Sequence, residues 1–381
     1  MTQLSPSAAP RLYHLDALRS FAILYGLLVH TATLGVSGPL RLISDISGYF
    51  RMGTFFLVSG FFAAMVLRRY GPALFLKKRA LALLVPLACG LILLNPVTNW
   101  LIWCWHNPPM PFLDYLQLAA AGSLPAGKGP MVWHLHLWFL ISLAFYVACA
   151  PVAVALGRRL PSWPADRLAA LPGWACVMVV AATIAVTSLA LRIGYEIALE
   201  PALLVMGADR YTWLVRNTLY YWPMFLTGML AFGHRSFADR FQTISWPALG
   251  LGLVAVLLVR RFVPEGGLVW EVLQLLSRAF LTTVMIAALM SLFRRWFDRP
   301  GFLSRTADYV YSIYIIHFLA IYLIAHTLRP LGLGPDSQFF VVALLTFATT
   351  FALHRFIIKP VPVLSLMFNG KPLPALLPKA G

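Results

Sequence analysis

Arg19 and His30 are the residues of this chain whose types and spacing point most directly to chemistry. They stand eleven positions apart in the apolar stretch RLYHLDALRSFAILYGLLVH, residues 11–30. Eleven steps of about 100° make three turns plus about 20°, so on a helix both side chains share one face, about 16 Å apart along the axis. An imidazole titrates near neutral pH and can act as a general base, while a guanidinium can hold an anionic group. Asp16, three residues before Arg19, is placed to orient it. Gly26 lies on the same face and leaves a groove that a chain-like ligand can occupy. The plainer reading is a helix-end pair, Asp16 with Arg19, reaching to headgroups, and an interfacial histidine at position 30.

Other candidates lie further along. In DYVYSIYIIHFLAIYLIAH, Tyr314 and His317 are three apart on one helical face and suit a lined cavity better than lipid contact. His134 and His136 in WHLHLWFL are two apart, point in different directions on a helix and make a poor metal pair, so no metal is expected. The stretch RRYGPALFLKKR, with Lys78 and Arg79 among its five cations, suits anionic headgroups and equally the phosphates of a cytosolic donor. Glu196 and Glu200, one turn apart, can hydrogen-bond sugar hydroxyls or simply be solvated. No Walker loop, dinucleotide glycine motif, HExxH, GxSxG or CxxC appears, and the four cysteines lack paired spacing, which leaves them as packing residues.

The elements that must position these groups are membrane helices. Of 381 residues, 60% are hydrophobic and 11% charged, with mean hydropathy +0.78, whereas about a quarter of a soluble domain is charged. The fold class is therefore all-α, polytopic, with about ten spans near residues 14–35, 50–67, 80–103, 134–156, 173–192, 213–232, 246–263, 270–293, 309–328 and 338–358. A charge at mid-bilayer costs about 3 kcal/mol on insertion scales, so Arg19 and His30 belong where a partner, cavity or substrate meets them. The net charge of +17 is spread through short loops, which argues against a nucleic-acid partner. Nineteen Lys and Arg on one side against nine on the other place both termini in the cytoplasm. The first span reads as an uncleaved anchor, residues 1–10 as a disordered tail, 11–362 as a single membrane domain and 363–381 as a cytoplasmic tail.

Taken in order, LDALRSFAILYGLLVH, FRMGTFFLVSGFF, HLWFL, YYWPMFLTG, YSIYIIHF and FNGKP resemble the acyltransferase 3 family of integral-membrane O-acyltransferases. The mark of that family is an Arg and a His with ten residues between them in the first span, here Arg19 and His30. The resemblance is greatest to members that succinylate osmoregulated periplasmic glucans. It implies a bacterial inner-membrane enzyme with no permanently bound cofactor, a cytosolic acyl-CoA donor (succinyl-CoA or acetyl-CoA) and a carbohydrate acceptor on the periplasmic side. Arg19 then faces the donor and His30 the acceptor, with His30 as general base or as a transient acyl carrier. Arg79, Lys78 and Arg51 are expected on the donor, and Tyr314, His317 and His136 on the acceptor. One departure stands out. The family often has two arginines three apart after the second span, and counting back from Pro86 these positions hold Arg79 and Ala82. Lys77 and Lys78 are left to supply the missing charge, without the bidentate fork of a guanidinium. O-acetylation of another envelope polysaccharide or lipopolysaccharide, a non-catalytic transporter of a lipid or acyl donor, and a structural envelope subunit are the competing readings.

Overall fold

The computed structural model describes residues 11–159, 163–371 and 373. The expected disordered tail, residues 1–10, and the end of the expected C-terminal tail, from 374 onward, lie outside them. Every regular element among the described residues is helical. That follows from apolar composition, because a lipid-facing backbone must satisfy its own N–H and C=O groups. The principal helices are α1 (Tyr13–Thr31), α2 (Arg51–Cys89), α3 (Asn95–His106), α4 (Trp138–Gly157), α5 (Gly173–Gly194), α6 (Thr212–Gly233), α7 (Trp246–Phe262), α8 (Leu268–Phe297), α9 (Val310–Leu328), α10 (Pro335–Leu353) and α11 (Pro362–Asn369).

Among the described residues, seven segments are long and apolar enough to cross a membrane, or eight if Arg235–Phe241 and α7, bent by 61°, count as one. The sequence spacing predicts about ten; the expected span 246–263 is counted only through that bent pair, and the rest of the difference arises at two places. Gly38–His106 is one unbroken 69-residue segment by composition, yet Gly71 inside α2 has φ 72° and is followed by Pro72, so the chain turns there and the segment holds two crossings. The stretch 68–79, expected as a loop, is therefore mostly helix on either side of one glycine. α6 has the length of a crossing, but Arg216, Asn217, Tyr220 and Tyr221 make it too polar to be counted.

α1 sits inside the bundle, packed against α2, α8, α9 and α10. Its small residues Ala17, Ala22 and Gly26 are buried and let these neighbours approach. The closest helix pair is α2 with α6. A Cβ on Gly60 would collide with the Phe225 carbonyl, and one on Gly228 with the Leu57 carbonyl, so each glycine is the notch for the other backbone. Close backbone approach is how helices associate in lipid, where burial of apolar surface gives little drive. Phe56, Tyr146 and Phe225 fill the space between α2, α4 and α6.

At its first turn α1 is latched to the segment after α8. The His14 backbone N–H and ring Nδ1 both bond Asp298 Oδ1, the ring at 2.8 Å, and an Arg11 guanidinium nitrogen donates to the Ser304 carbonyl at 3.2 Å. Partial burial opposes the charged form of Asp298, but the hydrogen bonds from His14 and the charge of Arg294 outweigh it and hold this carboxyl below its usual pKa. α11, where a plain tail is expected, folds back onto α2 and ends at Gly370, whose φ of 63° is left-handed.

Candidate active site

α1 turns Arg19 and His30 into one cavity of about 340 Å³. At the His30 end three imidazoles gather. The His30 ring centroid lies 5.2 Å from His317, 6.0 Å from His136 and 4.8 Å from the Phe318 ring, and His136 and His317 are 4.9 Å apart. His317 Nδ1 bonds the carbonyls of Ile313 and Tyr314. Carbonyls only accept, so Nδ1 carries the proton and Nε2 presents a lone pair. His136 is buried with no close hydrogen bond to either ring nitrogen, its ring lying against Tyr314 and His317, and no hydrogen bond to another described residue occupies the His30 ring. No group of three or more His, Cys, Asp or Glu among the described residues converges as metal ligands.

His136 reaches the cavity through an unusual turn. Leu135 has φ 44°, a left-handed conformation for a branched residue, and it leads a single 3₁₀ turn, Leu135–Leu137, ahead of α4. Such a conformation costs about 1–2 kcal/mol and persists only where neighbours over-determine it. Tyr314 is one such neighbour: its hydroxyl donates to the His136 carbonyl at 2.6 Å. His134, two residues earlier, stacks on Trp213 at 5.6 Å.

Arg51 occupies the same end. Short helix Gly38–Ser47 brings the chain back over α1, and Arg51 Nε donates to Ser47 Oγ at 2.9 Å. A Cβ on Gly26 would lie 2.6 Å from Arg51 Nη1. The groove expected beside Gly26 is therefore filled by the Arg51 guanidinium and is not open to a ligand. Arg51, expected with the donor cations, stands instead one turn from His30.

The opposite end of the cavity is lined by Arg19, Arg79, Arg11, Asp308, Tyr311 and Lys371. Arg19 lies over the Phe62 ring at 5.7 Å, and Arg79 Nε is buried with no partner. Asp16 lines this end too, but its ion pair is with Arg11 at 2.8 Å rather than with Arg19. The Arg11 hydrogen bond to Asp16 raises the arginine's pKa further. Lys78 lies 4.2 Å over the Tyr70 ring and is not a wall of the cavity, and His317 meets His30 from behind the lining.

At the position of the missing second arginine, Ala82 lines the cavity. The Ala82 carbonyl accepts from Tyr311 Oη at 3.1 Å, and a Cβ on Gly370 would collide with it. Gly370 thus packs on the Ala82 backbone, and its neighbours Asn369 and Lys371 line the cavity beside Ala82. Sequence reasoning passed over Lys371, Asn369 and Tyr311 as site residues. FNGKP was a signal for the first two, and Tyr311 stands one turn before Tyr314 on the same face.

Residues 12–355 match the family model described as "Acyltransferase domain". Similar proteins include Glucans biosynthesis protein C of Escherichia coli strains SMS-3-5 and SE11, each 25% identical over 403 residues that cover 97% of this chain and 97% of the relative. No solved structure matches.

Proposed function

The chain belongs to the acyltransferase family whose domain model spans residues 12–355 and is a membrane acyltransferase; from that premise we propose that it moves an acyl group from a cytosolic acyl-CoA to a hydroxyl of an extracytoplasmic carbohydrate. The observation that carries this reading is one cavity lined by Arg19 and Arg79 toward one end and by His30, His136 and Arg51 toward the other. Donor phosphates suit Arg19, Arg79 and Lys371, and the thioester arm then runs along α1 toward His30. Both termini face the cytoplasm in this arrangement, and the membrane is the bacterial inner membrane.

In the transfer step, neutral His30 takes the proton of a sugar hydroxyl as its oxygen attacks the thioester carbonyl. The tetrahedral oxyanion forms beside Arg51, whose fixed charge needs no reorganisation to meet it. Collapse breaks the C–S bond, the ester stays on the sugar, and protonated His30 returns its proton to the CoA thiolate. An acyl-His30 intermediate is the variant in which the imidazole itself attacks first. His136 and Tyr314 hold the far wall in place.

Arg51 near the acyl carbon favours an acyl group that ends in a carboxylate, and so succinyl over acetyl. The similarity to a glucan biosynthesis protein favours a periplasmic glucan as acceptor over another envelope polysaccharide. The test is the acyl content of periplasmic glucan in cells carrying correctly inserted His30→Ala or Arg19→Ala protein. Loss of the acyl mass is expected from both, and its size names the group. Unchanged acylation in either refutes the mechanism, and movement of labelled acyl-CoA across vesicles without ester formation refutes the enzymatic reading.

A further inference from the structure

A second cavity, of about 640 Å³, opens between α5, α6 and α8. It lies at the His30 end of the bundle, because Arg278 in its wall reaches over Tyr49 and Gly48, just before Arg51. Its wall sets several polar and charged side chains within an otherwise apolar lining. Arg192 bridges Glu196 on its own segment and Glu271 on α8, the latter at 3.5 Å, which ties two sides together and leaves little net charge. Arg216 and Arg278 have no carboxylate partner among the described residues. Tyr220 Oη is buried without a hydrogen-bond partner. Asn217 Nδ2 donates to the Trp213 carbonyl, which fixes the amide and leaves its oxygen free. Gln274 and the Trp270 indole add to the polar set, and Leu189, Ile193, Leu268, Val272 and Leu275 form the apolar part of the wall.

Two unpaired guanidiniums, two amides, an unsatisfied phenol and a flat indole form a wall that pairs with vicinal hydroxyls and stacks on the C–H face of a sugar ring. A lipid tail satisfies none of these groups, and a lone phosphate leaves the amides and the indole unused. Aromatic rings stand between this cavity and the His30 cavity. Tyr221 lines the second cavity and packs 6.0 Å from Trp138, which lines the first.

We propose that this second cavity is the docking site for the glycan acceptor, and that Tyr221 and Trp138 are the positioning residues past which one sugar hydroxyl reaches His30. The inference rests on the acyl-transfer reading and adds a site to it. Glu196 belongs to that site through its clamp on Arg192, whereas Glu200 is not part of the wall.

The experiment uses the full-length chain in nanodiscs, with a linear gluco-oligosaccharide as probe. Direct binding is read in His30→Ala protein, where no turnover intervenes, and kinetics in the active protein. Trp270→Ala and Arg216→Gln are each expected to weaken oligosaccharide binding and raise its KM about tenfold or more, leaving the KM for acyl-CoA unchanged. Trp270→Phe, which keeps a flat ring, is expected to recover most of the loss. Unchanged oligosaccharide binding in the Trp270→Ala, Arg216→Gln double variant overturns the proposal, even if the protein transfers acyl groups normally. Oligosaccharide binding that the variants abolish, in a protein that acylates no sugar from any acyl-CoA, supports the site and refutes the reaction. Anionic phospholipid held by the wild type and released by the variants, with oligosaccharide binding intact, overturns the proposal.

Discussion

Gly26→Ala adds one methyl group where the Arg51 guanidinium now rests. Carbon and nitrogen meet without strain at about 3.5 Å, and the new Cβ would stand 2.6 Å from Nη1, so the guanidinium must retreat by nearly an ångström. The retreat is cheap, because a flexible side-chain end moves rather than backbone. Alanine also favours a helix over glycine by about 1 kcal/mol. Thermal stability is therefore expected to hold or rise. Catalysis is expected to move the other way, since a displacement of about 1 Å in a positioned charge can cost on the order of a hundredfold in rate. Steady-state kinetics of ester formation, beside a melting curve of the same preparation, read both quantities. A kcat within twofold of wild type in a stably folded Gly26→Ala protein refutes the role given to Arg51, and so does a loss of kcat that merely follows a fall in stability.

Lys371→Met removes an exposed cation from the wall; a screened pair of this kind is worth about 1 kcal/mol, so the KM for acyl-CoA should rise about fivefold with kcat unchanged, and less so at high salt. Ala82→Arg in that background should restore the donor KM, and an unchanged KM in Lys371→Met shows that the ammonium does not meet the donor. Gly228→Ala drives a Cβ into the Leu57 carbonyl, and since backbone cannot yield as a side chain does, a loss of about 3 kcal/mol is expected in thermal or denaturant unfolding. Asp298 has a folded pKa below its ordinary 3.8, so its contribution to stability is full above that value and disappears as pH falls through the folded one. Asp298→Asn should accordingly lower the melting temperature at neutral pH and flatten its decline in acid, which a pH series of melting curves measures.

The part of this architecture legible in sequence is the part that helical period and hydropathy govern. Arg19 and His30 reach one cavity because eleven residues of helix leave no freedom in their relative direction. Tyr314 and His317 come to that end for the same reason. What was not legible depends on chain reversals. Arg51 counts as a loop cation in a topology argument, and only the fold of Gly38–Ser47 over α1 carries it to Gly26. Lys371 follows the last crossing and reads as tail charge until α11 doubles back along α2. Asp16 shows a limit of local pairing: the three-residue spacing to Arg19 is favourable, yet Arg11 is nearer the surface, freer to move, and takes the carboxylate.

The strained turn at Leu135 gives the histidine cluster its physical logic. A regular helix from residue 134 onward would swing His136 about 200° from His134, with no control over how far it entered the cavity. The left-handed residue ends that regularity, and the following 3₁₀ turn sets His136 between Tyr314 and His317. The hydroxyl of Tyr314 fixes the His136 backbone and leaves the buried ring without a close hydrogen bond, packed edge-on to Tyr314 and His317. A buried imidazole without a close partner is costly in a finished core, on the order of 1–3 kcal/mol for each unsatisfied group. Strain in the backbone and a buried imidazole without a close partner thus occur at adjacent residues, the imidazole facing His30, and in the proposed reaction a sugar hydroxyl or reacting ester would meet it. The cost is borne where the reaction needs lone pairs, which is the arrangement expected of a site shaped for the bound state rather than the empty one.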